Sequence, residues 1–209
     1  MTREDIFTLQ KPVFDSDLLL CSYHVEDLRV DGPWLRRVAA RFGKDVLVCI
    51  DPRLDARAHV RPYPPAERRK NGPEMEMVFR DEILLDFTLP RQALVVHETV
   101  HALFNWTGKT PKDHILNEAA AHIAEALFFR LKGADIVENW AKENPEYFKM
   151  AWLDDPYTPR AKAFQAANAL VDAHGLATPL ERQGPPPRLS RQDIDTLYQA
   201  LKQVPDYKR

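Results

Sequence analysis

Hydrophobic and polar positions alternate in two ways along this chain, and the change falls near Leu89. Before it, short apolar runs with polar flanks, DLLLCSY (17–23) and DVLVCID (45–51), fit strands. Between them DGPWLRRVAARFG (31–43) fits a helix, with Pro33 in its first turn and Gly43 as its stop. The stretch EMEMVFRDEILLDFT (74–88) alternates, breaks at Arg80 to Glu82 and resumes, which predicts a two-stranded hairpin.

From Leu89 onward the period is helical. LPRQALVVHETVHALFNW is an apolar helix stopped by Gly108. Residues 110–132 form a second, with Thr110 as N-cap, Pro111 in the first turn, Asp113 completing a capping box and Gly133 after the end. Further helices are expected at 135–152 (broken at Pro145), at 159–174 between Thr158 and Gly175, and at 191–203 behind a Ser190/Asp193 box. Two proline-rich stretches, 52–73 and 176–190, are expected as loops, the second a linker to the last helix. The expected class is α+β: a small N-terminal sheet with helices (about 15–88), two central helices (about 89–132) and further helices to 175. The 176–190 linker and a C-terminal helix and tail (191–209) then follow.

Composition narrows the classes. The 209 residues are 44 % hydrophobic and 29 % charged with a net charge of −2, a globular balance with no bulk attraction to nucleic acid or anionic lipid. Two cysteines, Cys21 and Cys49, are too few for a disulfide framework and sit in apolar runs, so buried reduced thiols are expected. The start MTREDIF lacks the cationic, apolar pattern of a signal peptide, and no run approaches the ~18 apolar residues of a membrane span. A cytoplasmic protein with no membrane or nucleic-acid partner is expected, with signal-less export left open.

Candidate chemistry concentrates in VVHETVHALFNW (95–106). Residues four apart share a helix face about 6 Å apart, so His97 and His101 can aim at one ion. Glu98, about 100° further round, can reach a water beside that ion without being a ligand. This is the H-E-x-x-H pattern of zinc hydrolases. Its apolar surroundings sharpen the point, because three unpartnered polar groups on a buried helix would cost several kcal/mol.

Zinc needs a third protein ligand. Phe104 and Thr107 stand where the longer metzincin motif carries Gly and His. The candidates are therefore Asp113, His114, Glu118, His122 and Glu125 on the next helix. If the two helices are antiparallel, His101 and His97 lie about 9 and 15 Å above the turn, and Glu118 and His122 about 10 and 16 Å. Glu125, at about 21 Å, is a turn too far. Height favours Glu118 as third ligand and leaves His122 as alternative ligand or as a group that orients one. Glu125 continues that face and is open to the same orienting role, but a solvated glutamate is favoured, and His114, His24, His59 and His174 are expected to lie at the surface.

HETVH followed by Asn117-Glu118 resembles the gluzincin zinc metallopeptidases over about residues 74–132, under a third of the chain. The resemblance implies a zincin-like fold, Zn2+ held by His97, His101 and Glu118, and Glu98 as general base. It further implies an extended protein or peptide substrate on an edge strand (75–79 or 83–87). A separate Tyr or His oxyanion stabiliser is also implied, for which Tyr157 and His174 are candidates. The spacing from His101 to Glu118 is slightly shorter than in several branches of that clan. Competing readings are a zinc-binding regulatory or interaction module without turnover, and a helical protein with a chance motif. A nucleic-acid role for 52–73 lacks stacking aromatics beyond Tyr63, so a solvated loop or a lid is expected there. Oligomeric state is left open.

Overall fold

Two long helices, buried on nearly every side, carry the structure. In the computed structural model, which describes residues 2–15, 17–54, 58–62, 74–80, 87–133, 158–178 and 185–207, they are α3 (Leu89–Thr107) and α4 (His114–Leu131). The remaining helices are α1 (Arg3–Phe14), α2 (Gly32–Ala39), α5 (Pro159–Ala173) and α6 (Asp195–Gln203). The strands are β1 (Ser22–Val25), β2 (Leu28–Asp31), β3 (Val46–Ile50), β4 (Ala58–Pro62), β5 (Met75–Phe79) and β6 (Arg188–Leu189). Among the described residues this is an α+β protein of six α-helices and two three-stranded sheets. No described helix is long and apolar enough to cross a membrane.

Helix α3 begins with Pro90 in its first turn and ends on Gly108. At φ +65° this glycine takes the left-handed conformation that lets Lys109 N–H donate back to the Phe104 carbonyl (2.9 Å). The chain then reverses into α4, whose N-cap is Asp113, accepting from the Ile115 N–H at 3.1 Å. Thr110 is not the cap that the sequence suggested. Its hydroxyl donates to Asn105 Oδ1 instead (2.8 Å), and Asp113 is held in the capping pose by the Tyr198 hydroxyl (2.8 Å).

Around this pair lie the two sheets, ordered β2-β1-β6 and β3-β5-β4. Tyr23 on β1 fixes the first sheet to α4 by donating its buried hydroxyl to the Ala120 carbonyl (2.8 Å). In the second, β5 is central and fully buried, parallel to β3 and antiparallel to β4. One of the two partners of β5 thus comes from the proline-rich stretch expected as a loop. Arg61 of β4 reaches across the register to pair with the buried Glu76 carboxylate of β5, which explains why a charged, proline-containing segment lies in a sheet. Pro62 ends β4, the position a strand edge tolerates. The expected second hairpin strand falls mostly on 81–86, outside the described residues, as does the expected helix 135–152.

Other expectations shift locally. Residues 17–20 form a 3-10 turn closed by Cys21 N–H to the Leu18 carbonyl (3.0 Å), so the strand starts only at Ser22. Helix α1 went unpredicted although Thr2 and Asp5 form a reciprocal capping box. Cys21 is buried and Cys49 half-buried, both as reduced thiols. Helix α5 lies where expected, capped by Thr158. The Ser190/Asp193 box is present, but it closes a turn ahead of α6. Arg188 and Leu189, in the stretch expected as a linker, pair in parallel with β1. Leu189, Ile194, Leu197 and Leu201 join the same core as α3 and α4.

Gly43 does not stop α2, which ends at Ala39. It turns the chain into β3 at φ +76°, where an added Cβ would stand 3.1 Å from Ile6 of α1. Gly43→Ala is therefore expected to lower stability by about 1–2 kcal/mol or more, read as an earlier midpoint in urea unfolding.

Candidate metal centre

The antiparallel packing of α3 on α4 brings together His97, His101 and Glu118. The two ring Nε2 atoms are 3.1 Å apart. Glu118 sets one carboxylate oxygen 3.4 Å from His97 Nε2 and the other 3.5 Å from His101 Nε2. Donors about 2.0–2.1 Å from a tetrahedral zinc stand about 3.3 Å from one another. The observed spacings bracket that value.

What lies behind each ring decides which nitrogen faces inward. His101 Nδ1 is 2.9 Å from Asn117 Oδ1, so this nitrogen carries the proton and Nε2 keeps its lone pair. His97 Nδ1 stands 3.3 Å from Glu125 Oε2, off the angle of an aligned hydrogen bond but with no other partner among the described residues. With both Nδ1 atoms facing oxygen acceptors, two Nε2 lone pairs point at each other across 3.1 Å. That arrangement repels unless a cation, proton or metal, lies between them.

Glu98 is buried, and one of its oxygens has no hydrogen-bond partner among the described residues. It offers a carboxylate oxygen within 4.8 Å of a nitrogen from both His97 and His101. Burial pushes its carboxyl pKa up, with the two imidazoles opposing. Glu118 also has an orphaned buried oxygen. Such unsatisfied buried acceptors, with the donor spacings, fit a cation held by His97, His101 and Glu118.

A second donor group shares His97: its Nδ1 with His122 Nδ1 and Glu125. His122 Nδ1 is 3.2 Å from the same Glu125 oxygen, and its Nε2 is 3.1 Å from the Tyr207 hydroxyl. Two observations favour the Glu118 set as the ion's seat. The Glu118 side chain is 17 % exposed against 4 % for Glu125, which leaves a route for ligand exchange. Glu98, a second acid close to both His97 and His101, belongs to that side. His122 and Glu125 stand behind the His97 ring, the position from which such groups orient a ligand.

Glu125 is therefore not the solvated residue expected of it. It is buried beneath two imidazoles, and its spacing from His122 (i+3) and Glu118 (i+7) is the signal that marks it. Asn117 was legible only as Glu118's neighbour, and Tyr207 went unremarked. His114 is exposed as expected, yet its Nε2 is 2.6 Å from the Tyr207 carbonyl. His24, His59 and His174 belong to neither donor group, and Tyr157 lies outside the described residues. Strand 75–79 is paired on both sides, so it is not an edge for substrate; among the described residues the edges of its sheet are β3 and β4.

No protein-family model matches this chain, and neither a curated protein nor a solved structure is found to be similar to it.

Without metal, protons carry the balancing charge. Burial disfavours the His97 cation, but the Glu118 and Glu125 carboxylates outweigh it and hold the pKa up at about 10 against an ordinary 6.5. Burial likewise opposes the Glu125 anion, which His122 and His97 nonetheless stabilise, holding its carboxyl well below the ordinary 4.5. His97 thus adds stability that is complete below pH 6.5 and lost as pH rises through about 10. Glu125 adds stability present above pH 4.5 and lost on strong acidification. Chelator-treated protein should resist urea better at about pH 6 than at about pH 10, and His97→Gln should flatten that difference.

Proposed function

We propose that this chain is a zinc-dependent peptidase of the gluzincin type with a zincin-like fold. Zn2+ would be held by His97, His101 and Glu118, and peptide-bond hydrolysis would be assisted by Glu98. The observation that carries the reading is the convergence of two histidine Nε2 atoms and one carboxylate at tetrahedral spacing, with Asn117 and Glu125 behind the rings. Zinc in such a seat supplies a Lewis acid that eases deprotonation of water and polarises a carbonyl.

The chain's own residues then account for the proton. Glu98, whose carboxyl pKa is raised by burial, stands beside both zinc-facing imidazoles and is the group placed to take a proton from the attacking water. The same carboxyl can pass it to the leaving amine nitrogen as the C–N bond breaks, which returns Glu98 to its starting state. Asn117 and Glu125 keep the imidazoles from turning during these transfers. For substrate, β4 takes the place of strand 75–79, while 83–87 lies mostly outside the described residues. It is an edge of its sheet among the described residues and packs against α3, so an extended peptide can add to it through backbone hydrogen bonds. The partner class is thus a protein or peptide segment in extended form.

The test combines metal analysis with cleavage of unstructured protein substrates. Wild type is expected to hold one zinc per chain. Glu118→Ala should lose the metal, and Glu98→Gln should keep it while cleavage falls by about 10²–10⁴-fold. Zinc-free wild type sinks the proposal, and loss of metal in His122→Ala but not in Glu118→Ala relocates the third ligand. Wild type that holds zinc but cleaves nothing would point instead to a zinc-bearing interaction module.

A further inference from the structure

The C-terminal segment reaches back to the metal centre by a route that nothing in the H-E-x-x-H motif anticipates. After α6 the chain makes a 3-10 turn (Pro205–Tyr207), with Tyr207 N–H donating to the Val204 carbonyl at 3.1 Å. The first residues of α4 hold this segment. Asp113 accepts from the Tyr198 hydroxyl at 2.8 Å and lies 3.4 Å from the Arg191 guanidinium, while His114 Nε2 donates to the Tyr207 carbonyl at 2.6 Å. So anchored, Tyr207 is half-buried and sets its ring edge-on to His122, centroids 6.0 Å apart.

From there a continuous file of contacts runs inward. Tyr207 Oη is 3.1 Å from His122 Nε2. His122 Nδ1 is 3.2 Å from Glu125 Oε2, and that same oxygen is 3.3 Å from His97 Nδ1. If the phenol O–H donates to His122 Nε2, the His122 proton must lie on Nδ1, facing Glu125. Glu125 then sets one oxygen against two imidazole N–H groups, at ion-pair distance and out of hydrogen-bond alignment, and His97 is left with Nε2 free for an ion. Tyr207 breaks the ambiguity in this buried set: without its hydroxyl, His122 can carry its proton on Nε2 and turn a lone pair toward the carboxylate. That would loosen the Glu125 group that orients His97.

We infer that Tyr207 is a positioning residue for the metal centre, acting through His122 and Glu125 to hold the ring of His97 in its ligating orientation. The inference rests on the proposed ligand set of His97, His101 and Glu118. It makes the C-terminal turn part of the centre.

The test uses the full chain. Zinc affinity is measured by competition with a chromophoric chelator, and the visible spectrum of the cobalt-substituted protein reports the ligand field. Tyr207→Phe keeps the ring and removes one hydroxyl. It is expected to weaken zinc binding about 10-fold or more, the range typical of groups that support a metal's ligands, and to shift the cobalt bands. His122→Gln should do the same, and the double variant should lose no more than His122→Gln alone, because both act on one file. His114→Ala, which frees the Tyr207 carbonyl but leaves the file itself intact, should weaken binding less, and it serves as the readout should Tyr207→Phe not fold. An unchanged affinity and cobalt spectrum in Tyr207→Phe would overturn the inference, even if the metal-free protein melted earlier, since a packing role alone would do that. Fully additive losses in the double variant would overturn it too. If wild type takes up no zinc, the ligand assignment itself falls. If wild type binds and Tyr207→Phe binds equally well, only the role of Tyr207 falls.

Discussion

Two imidazole nitrogens 3.1 Å apart, each with its opposite face turned to an oxygen acceptor, demand positive charge between them. Three carboxyl groups, the buried Glu98 and Glu125 and the half-buried Glu118, lie along the same seam. Desolvating such groups unpaired costs several kcal/mol each, more than neighbouring apolar contacts return. The apolar surfaces of α3 and α4 hold the helices in register, but the cation requirement gives that register its purpose. Protonated His97 satisfies it in part. On the proposed reading, a divalent ion at the Nε2 side would satisfy it for His97, His101 and Glu118 together and would leave Glu98 unligated beside them.

The rest of the molecule works as a frame for that seam. Gly108 sets the short reversal that brings His101 level with Asn117 and Glu118. Tyr23 fastens the first sheet to the middle of α4, and β4 lies along α3. Asp113 links the start of α4 to Tyr198 and Arg191, so the cap of one central helix is also the anchor of the C-terminal segment. That shared residue brings Tyr207 within reach of His122. Function, on the proposed reading, is spread over the helix pair and the 3-10 turn at Pro205–Tyr207.

How far this was legible depended on whether a feature was local. The α3 helix, the facing pair His97 and His101, and the level placement of Glu118 all follow from 1.5 Å of rise per residue and a short turn. Glu125 was misjudged by the same count. Height above the turn says nothing of a ring's second nitrogen, and His97 Nδ1 reaches further along α4 than Nε2 does. Strand β4 was hidden because its arginine and proline resemble loop chemistry until Glu76 is seen opposite Arg61. The N-terminal helix is readable from the reciprocal capping box of Thr2 and Asp5.

The sequence by itself determined the switch from strand to helix near Leu89, the presence of two histidines and an acid on one buried helix, and the acid opposite them. Helical period and burial cost are properties of neighbouring residues, and they survive without coordinates. Only the tertiary structure decided which nitrogen of each ring faces inward, which carboxylate stands behind His97, which strand lies at the sheet edge and that Tyr207 closes the file. These depend on contacts between residues as far apart as His122 and Tyr207, whose meeting is set by α6 packing onto the core and by the hold of Asp113 and His114 on that segment. No spacing along the chain encodes such a meeting, because it is the sum of several packing choices made elsewhere.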